Sequence, residues 1–569
     1  MSDTRTDAPG PDGDITDDAR ASAETPEETT EIEPIPEPEG PTEVIETDFE
    51  IGQDNVAKSW TLSFDIHQVV FTWSAFAILA FIVLTLALQD EVGPIFLGMR
   101  DWLTGNLDWF FLLSGNIFVL VCLGLIVSPL GKIRLGGPDA TPDYGYVGWF
   151  SMLFAAGMGI GLMFFGVSEP LSHYSTAFGG ISVGEDGVRT DWAPLGGAEG
   201  NVAEAQRLGM AATIFHWGLH PWAIYAVVAL ALALFSYNKG LPLTLRSAFY
   251  PIFGERVWGW PGHVIDILAV FATIFGLATS LGIGAQQASA GLNHLFGLGT
   301  GEAVLIFLII FITAIAIVSI IRGLDGGVKV LSEVNMGLAA ALLLFIILAG
   351  PTVDIAMGFF SNLGAYGQYL PALSMPFARE DSNFASGWTA FYWAWWISWS
   401  PFVGMFIARV SRGRTVREFL IAVLIVPTLV SVLWMTALGG TAISQVVDDG
   451  FAGVQNAALE LQLFEMLSQL PLTAITSLIG ITLVLVFFIT SSDSGSLVID
   501  TIAAGGKINA PVVQRVFWAI VEGLVAVALL LGGGLIALQA MAVSTGLPFT
   551  LVLLAACYAI VRGLMNEPR

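Results

Sequence analysis

The chain has 569 residues, of which 55% are hydrophobic and 12% are charged, and its mean hydropathy is +0.73. This composition excludes an ordinary water-soluble enzyme and is typical of a protein embedded in lipid. The net charge of −26 and the isoelectric point near 4.4 also exclude nucleic-acid binding, which needs a basic surface.

Much of the acidic charge lies at the start of the chain. Residues 1 to 58 hold 18 acidic and three basic side chains, together with many Pro, Thr and Gly residues. A segment with so few apolar residues cannot build a hydrophobic core. We therefore predict a disordered acidic tail over 1–58.

Apolar stretches of about 20 residues, each long enough to cross a bilayer core as a helix, recur from Ile66 onward. Twelve are predicted, over 66–89, 108–130, 145–171, 209–237, 262–295, 302–321, 331–350, 386–408, 416–439, 469–498, 516–537 and 543–564. Residues 352 to 375 mix apolar and small polar side chains, which predicts an amphipathic helix on the outer membrane surface. The fold class is therefore an all-α polytopic membrane protein with twelve transmembrane helices.

The basic residues indicate the orientation of these segments. Beyond the acidic tail, 15 Lys and Arg residues follow even-numbered segments and four follow odd-numbered ones. Because cytoplasmic loops retain basic residues, this bias places both termini in the cytoplasm.

Segment three carries three glycines at alternate positions, Gly157, Gly159 and Gly161. Close helix packing through small residues is one explanation, and an unwound stretch is the other. Three glycines within five residues favour the unwound stretch, whose carbonyls can coordinate Na⁺. Segment ten brings the hydroxyls of Thr490 and Ser491 to a similar depth, so the two segments together can supply the oxygens that an alkali cation needs.

Segments four and eight carry aromatic clusters, Trp217 to Tyr225 and Trp393 to Phe402. Trp222 and Trp396 lie about 26 and 20 Å from the cytoplasmic ends of their segments, too deep for an interfacial aromatic belt. Indole faces bind quaternary ammonium groups through cation–π contacts. The two clusters therefore predict a binding pocket for a methylated cationic nitrogen.

Other polar or rigid residues in the spans have plausible structural roles. Pro221 and Pro401 are expected to kink their helices beside the aromatic residues. His216 and His220 stand one turn apart, a spacing that can bind metal, but no third ligand is evident nearby in the sequence, so both are interpreted as structural. Glu169 is a candidate functional residue, because carboxylates inside membranes are often functional. Its position near a segment end also fits an ordinary interface residue.

The run from Phe391 to Phe406, with Gly157 to Gly161 and Trp217 to Tyr225, resembles the betaine/carnitine/choline transporter family, and its Na⁺-coupled glycine betaine symporters in particular. The resemblance spans all twelve segments. It implies two peripheral helices within 59–135 and then a leucine-transporter-like pair of inverted five-helix repeats, 136–350 and 381–569, with the surface helix within 351–380 between them. It also implies a homotrimer in the bacterial inner membrane.

The resemblance implies functional residues as well. The matching substrate-binding residues are Trp217, Trp222, Tyr225, Trp396, Trp395, Trp399, Phe406 and Met158. One sodium site matches Ala155, Met158, Phe487, Thr490 and Ser491. The second matches Thr273 and Phe402, but Leu277 stands where the betaine symporters have another hydroxyl, so this site lacks one expected ligand.

Further departures from the family refine the assignment. Proton-coupled choline carriers of the family have Asp where this chain has Gly161, and Na⁺-independent exchangers have an Arg in segment five, where residues 264 to 293 hold neither Arg nor Lys. Both observations favour sodium coupling. The chain ends shortly after Arg562, without the long basic helix of osmosensing members, so a weak response to external osmolality is expected.

We therefore expect a secondary active symporter, not an enzyme, that imports glycine betaine or a related compatible solute by alternating access, with Na⁺ as the co-transported ion. Two alternatives stay open. One is ectoine or proline as the substrate. The other is a non-concentrative uniporter, exchanger or sensor, which Leu277 and the short C-terminal segment keep open.

Overall fold

The computed structural model describes residues 36–58, 63–157, 159–322 and 329–568. Its first elements are two antiparallel strands, β1 (Asn55–Lys58) and β2 (Phe64–His67), in which Asn55 pairs with His67. His67 also caps the first helix, since its Nδ1 accepts from the N–H of Val70 (3.2 Å). This hairpin is the one sheet among the described residues, and it departs from the all-α fold that the sequence predicts.

Helices form most of the remaining chain. Up to residue 349 they are α1 (Gln68–Ala87), α2 (Gln89–Val127), α3 (Tyr146–Gly157), α4 (Ile160–Gly179), α5 (Val202–Trp217), α6 (Leu219–Ala233), α7 (Tyr250–Phe253), α8 (Trp260–Phe296), α9 (Glu302–Arg322) and α10 (Lys329–Ala349). Short 3₁₀ turns cover Pro129–Lys132, Leu245–Phe249 and Gly254–Trp258, and a π turn over Leu234–Asn238 continues α6.

The second half of the chain continues in the same way. Its helices are α11 (Thr352–Leu373), α12 (Ser382–Phe384), α13 (Ala390–Val410), α14 (Val416–Val447), α15 (Gly453–Asn456), α16 (Gln462–Ser468), α17 (Thr473–Ala503) and α18 (Val512–Met565). A π turn over Ala385–Thr389 leads into α13. Helix α11 covers most of the range 352–375, for which the sequence predicts an amphipathic helix.

Nine helical stretches of the described chain are long and apolar enough to cross a membrane. One of them, α18, has 54 residues and changes direction where Gly533 (φ 159) and Gly534 (φ 62) leave the helical conformation. Only glycine adopts such backbone angles readily. Helix α18 thus contains both of the last two predicted segments, and the break between them precedes the predicted end at residue 537.

Predicted segment four is also divided, at Gly218 (φ −100, ψ −131), into α5 and α6. The N–H of Leu219, at the start of α6, donates to the Tyr366 hydroxyl of α11 (3.1 Å). A helix end needs such an external partner. The interruption lies three residues before Pro221, which stands in the first turn of α6 where no helical hydrogen bond is lost. Helix α13 runs on through Pro401 without interruption.

The two ends of the described chain meet at Lys239. Its Nζ lies 3.0 Å from Glu43 Oε2 and 2.6 Å from Glu567 Oε1. Residues 36–58 therefore pack against the bundle, although the sequence predicts disorder as far as residue 58, and residues 1–35 of that tail lie outside the described ranges. The two ends of the described chain therefore lie on one face of the bundle.

Candidate functional site

The predicted interruption of segment three is present. Helix α3 ends at Gly157 and α4 begins at Ile160, with Gly159 between them in an extended conformation (φ −167, ψ −177). The Gly159 carbonyl accepts a long bond of 3.4 Å from the N–H of Met163. Peptide groups at such a break lie partly outside the helical hydrogen-bond ladder and can bind an ion or a ligand. Met158 itself lies outside the described residues.

Gly161, in the first turn of α4, is a point of close approach. A Cβ atom added here would lie 2.7 Å from Cη2 of Trp217 and 3.1 Å from Cη2 of Trp395. Both distances are shorter than ordinary van der Waals contacts. The absence of a side chain therefore lets two indole rings, one from α5 and one from α13, converge on the start of α4.

A cavity of about 40 Å³ lies beside this interruption. Six of the eight residues to which the resemblance assigns substrate binding line it: Trp217, Trp222, Tyr225, Trp395, Trp396 and Trp399. The remaining wall comes from small and apolar residues of α3, α4, α6, α13 and α14, namely Ala156, Gly159, Ile160, Gly161, Leu162, Pro221, Val403 and Ser431. The structure thus brings the two predicted aromatic clusters together at the broken helix.

The rings meet mostly edge to face. Trp217 and Trp396 have centroids 4.9 Å apart at an interplanar angle of 72°, and Tyr225 stands 6.3 Å from Trp396 at 73°. Trp222 lies 5.3 Å from Tyr225 at 70°. Such a set of mutually inclined rings can present several electron-rich faces to one cationic group.

Hydrogen bonds fix the indoles in place. Trp396 Nε1 donates to the His216 carbonyl (2.9 Å), Trp399 Nε1 to the Gly276 carbonyl (2.9 Å) and Trp395 Nε1 to Ser280 Oγ (3.2 Å). Because these N–H groups are taken up by the surrounding helices, ring carbons are left to line the cavity. The arrangement suits a ligand that has no hydrogen-bond acceptor at its cationic end.

Glu169 of α4 anchors the aromatic cage, by which we mean the six aromatic side chains that line the cavity. Its Oε2 accepts from Trp217 Nε1 (2.7 Å) and from the Tyr392 hydroxyl (2.6 Å). Its Oε1 lies 2.5 Å from His216 Nδ1 and 3.2 Å from His173 Nε2. The carboxylate is fully buried. The resemblance assigns no role to this residue, and the helical spacing of Glu169 and His173 is the sequence signal that could have revealed the cluster.

The histidines of segment four have separate partners. His216 Nε2 lies 2.9 Å from Thr389 Oγ1, while His220 Nε2 lies 2.9 Å from Asn116 Oδ1 and its ring stacks on Trp393. His216 and His220 therefore do not converge on one metal ion.

The described residues of the first implied sodium site lie on α3 and α17. A Cβ added at Gly284 of α8 would lie 3.2 Å from Ile160 Cγ2 and 3.6 Å from Val484 Cγ1, so the start of α4 and the middle of α17 converge on α8. The Thr490 hydroxyl donates to the Val486 carbonyl of its own helix (3.0 Å), which leaves its oxygen lone pairs available. Of the other implied ligands, Ala155 lies in the last turn of α3, and Phe487 and Ser491 lie on α17.

The second implied sodium site is less complete. The Thr273 hydroxyl donates to the Ala269 carbonyl (2.7 Å), and Phe402 lies half-buried beside Trp399. Leu277, one turn after Thr273, is buried against α17: its Cδ1 would lie 2.3 Å from a Cβ at Gly495. The Leu277 side chain, packed against α17, therefore stands where the betaine symporters are expected to have a hydroxyl. Phe406 is 38% exposed and does not line the cavity.

A model of the betaine/carnitine/choline family of transporters matches residues 69–569. The chain belongs to this family. It is therefore a multi-pass membrane transporter and not an enzyme, as its sequence predicts.

Individual relatives agree with this assignment. A glycine betaine/proline/choline transporter of Vibrio parahaemolyticus is 66% identical, over 94% of this chain and 97% of that protein. A glycine betaine transporter of the same organism is 55% identical over 92% and 97%, and one of Bacillus subtilis is 42% identical over 87% and 94%. Among solved structures, a manganese transporter of Eremococcus coleocola aligns with a TM-score of 0.40 and 12% identity over 77% of this chain and 82% of its own, which is too weak to carry an argument.

Proposed function

We propose that the protein is a secondary active symporter that couples the entry of Na⁺ to the uptake of glycine betaine or a related compatible solute. The observation that carries this proposal is the contact between the interrupted α3–α4 segment and the aromatic cavity. An ion bound at the interruption would hold the start of α4, and with it Gly161, against Trp217 and Trp395. Ion binding would thereby favour the conformation in which the cage is formed.

The cage accounts for the chemical class of the substrate. A trimethylammonium group has no N–H to donate, so its positive charge must be held by ring faces. Trp217, Trp222, Tyr225 and Trp396 provide such faces within one buried cavity. The relatives of Vibrio parahaemolyticus support the same class, since they are transporters of glycine betaine/proline/choline and of glycine betaine.

The first sodium ion would bind carbonyls of Ala155 and Met158 together with Phe487 and the hydroxyls of Thr490 and Ser491. Several oxygens and no nitrogen donors are the coordination that a hard monovalent cation prefers. The second ion would need Thr273 and Phe402, and the packing of Leu277 leaves that site with fewer oxygens.

The architecture that goes with this function has twelve crossings: two peripheral helices and two inverted five-helix repeats, with both termini in the cytoplasm of a bacterial inner membrane. The meeting of Glu43 and Glu567 at Lys239 supports this, because an even number of crossings brings the two ends of the chain to the same side. The homotrimer implied by the resemblance is part of the same proposal.

Alternating access requires a route from the cage to each side of the membrane. A second cavity of about 590 Å³ lies on the face of the bundle that carries Arg100 and Asp108, and Phe165, Trp388 and Phe391 separate it from the cage region. We propose that this cavity is the outer vestibule and that those rings form the barrier to it. Movement of one repeat against the other would open the barrier.

Uptake of labelled glycine betaine into proteoliposomes tests the proposal. An inward Na⁺ gradient is expected to produce transient accumulation above equilibrium, and a K⁺ gradient of the same size is expected to produce none. Equal rates in the two gradients would refute sodium coupling.

A panel of betaine, choline, ectoine and proline, assayed under the same gradient, distinguishes the substrate alternatives. Tightest uptake of ectoine or proline would assign the protein to those smaller solutes.

Leu277 favours one second candidate, a non-concentrative exchanger, because it weakens the second ion site. Exchange is tested by loading vesicles with unlabelled betaine. Rapid counterflow together with no accumulation driven by sodium would select the exchanger.

A further inference from the structure

We propose that Glu169 provides the negative charge of the substrate site and increases the affinity for monocationic quaternary ammonium compounds, such as choline, more than the affinity for zwitterionic ones. The proposal rests on the proposed function, because it assumes that the aromatic cage holds a cationic nitrogen. It adds a specificity-determining residue that does not itself touch the substrate.

The first argument is the surroundings of the carboxylate. Two donors, the Trp217 indole and the Tyr392 hydroxyl, converge on Oε2 at 2.7 and 2.6 Å, and two imidazoles approach Oε1 at 2.5 and 3.2 Å. An indole N–H can only donate. A carboxyl group surrounded by donors in this way is best satisfied in its ionised form, in which both oxygens accept. Among the described residues, the groups against Oε1 are the imidazoles of His173 and His216, and no Lys or Arg pairs with Glu169.

The second argument is the absence of other charge at the cage. None of the described residues that line the cavity is ionised at neutral pH. An ionised Glu169 is then the charge that lies one hydrogen bond away from the Trp217 ring. A cation over the Trp217 ring would lie roughly 8 Å from the carboxylate, close enough for attraction in a partly buried site.

The third argument is polarisation of the ring itself. When an indole N–H donates to an anion, negative charge is shifted onto the ring, and the attraction between its face and a cation increases. Glu169 acts in this way on Trp217 and holds Tyr392, whose ring stacks on Trp396 at a centroid distance of 5.6 Å. One ring of the cage, Trp217, and a ring stacked on the cage, Tyr392, are thus tied to one carboxylate.

A metal site is the competing interpretation of the cluster, because ligand atoms of Glu169, His173 and His216 lie within 4.8 Å of one another. The 2.5 Å separation of Glu169 Oε1 and His216 Nδ1 leaves no room for an ion between them. Oε2 is also occupied by its two donors. The geometry is that of a direct hydrogen-bonded network.

The charge acts differently on the two kinds of substrate. Choline carries one positive charge, so its full attraction to Glu169 contributes to binding. Glycine betaine also carries a carboxylate a few ångströms away, and its repulsion by Glu169 cancels much of that attraction. Removal of the charge should therefore weaken choline binding more than betaine binding.

The test compares the wild type with Glu169→Gln in proteoliposomes at saturating Na⁺, with choline measured as a competitor of labelled betaine uptake. Glu522→Gln is the matched control, since Glu522 on α18 is also fully buried and bonds to Ser492 Oγ (3.2 Å) and not to the cage. In Glu169→Gln we expect the apparent affinity to fall about tenfold for choline and about threefold for betaine. Glu522→Gln should leave the ratio of the two affinities unchanged.

An equal fall for both solutes in Glu169→Gln, or a wild-type protein that does not bind choline, would overturn the proposal. If Glu169→Gln is not recovered folded, the wild type still decides the question: the methyl ester of betaine, a monocation of nearly the same shape, must bind at least as well as betaine, and tenfold weaker binding would contradict the role of Glu169. The proposed function fails separately, if the wild type shows no sodium-driven betaine accumulation.

Discussion

Single residues set the dimensions of the substrate cage. Gly161 lets the edges of Trp217 and Trp395 approach the backbone of α4, so the cage is closed by rings from both halves of the chain. The N–H groups of Trp395, Trp396 and Trp399 are bonded to the surrounding helices, which leaves ring carbons to line the cavity.

Replacement of Gly161 by alanine should disturb this closure. The new methyl group would lie 2.7 Å from Trp217, so the indoles must move apart, and we expect the KM for betaine to rise about tenfold. The matched control is Gly148→Ala on α3, where a Cβ would meet nothing within 4 Å. Similar kinetics in the two variants would show that the close approach is unimportant.

Trp396 is the ring with most neighbours in the cage, and Trp396→Leu should raise the KM for betaine about tenfold, as expected for loss of a buried cation–π contact. Trp396→Phe keeps a ring but removes the N–H that donates to the His216 carbonyl, and an intermediate KM is expected. Betaine uptake at varied concentration measures both, and an unaltered KM in the leucine variant would contradict the cage.

At this scale, residue type and depth predict that the two aromatic clusters form a pocket, and the resemblance to the family adds the individual residues, of which Phe406 does not line the cavity. The anchoring role of Glu169 was not predictable in the same way. The apolar pattern places the end of segment three at residue 171, whereas α4 continues to Gly179 and carries Glu169 well inside a helix. Its partners Tyr392 and His216 lie far away in sequence and meet it only in the folded bundle.

At the scale of secondary-structure elements, helix interruptions position the residues of the substrate site. The break at Gly218 is supported from outside, since Tyr366 of α11 accepts the N–H of Leu219. Helix α11 thereby holds the start of α6, which carries Trp222 and Tyr225.

Tyr366→Phe removes this acceptor and leaves the N–H without it. We expect a loss of about 1 kcal/mol in stability, seen as a lower midpoint of thermal unfolding in detergent. Tyr558→Phe, on the exposed side of α18, serves as the control and should leave the midpoint within error. Equal shifts in both variants would argue against the bridge.

The packing of α8 against α17 bears on ion stoichiometry. Leu277→Thr would return a hydroxyl one turn after Thr273, and we expect the dependence of betaine uptake on Na⁺ concentration to become steeper. Leu281→Thr, one turn further and equally buried, provides the control for loss of apolar volume. A steeper dependence in the control, or none in Leu277→Thr, would count against this assignment of the site.

Hydrophobic runs predict the existence of spans well, because lipid requires long apolar helices. Their internal breaks are harder to predict. The three glycines of segment three were a visible signal, but Gly218 is a single glycine in a longer apolar run, and its break depends on Tyr366, which is distant in sequence.

At the scale of the whole molecule, ion pairs to Lys239 join the two ends of the described chain. This side chain is 2% exposed and Glu567 is 3% exposed, so the pair is buried. Removal of one member of a buried pair leaves an uncompensated charge.

Lys239→Met should therefore destabilise the protein by about 3 kcal/mol, measured as a clear fall in the thermal unfolding midpoint. The double variant Lys239→Met with Glu567→Gln removes both charges and should recover part of the loss. If the double variant is less stable than the single one, the pair does not join the two ends as described.

The same junction has a practical consequence for reconstitution. Protease sites engineered beside Glu43 and beside Glu567 would both face the same compartment of a vesicle, so digestion from outside would cut either both or neither in any one molecule. The fraction cut would therefore report what share of the carriers had inserted in each direction, and transport rates could be corrected for that share.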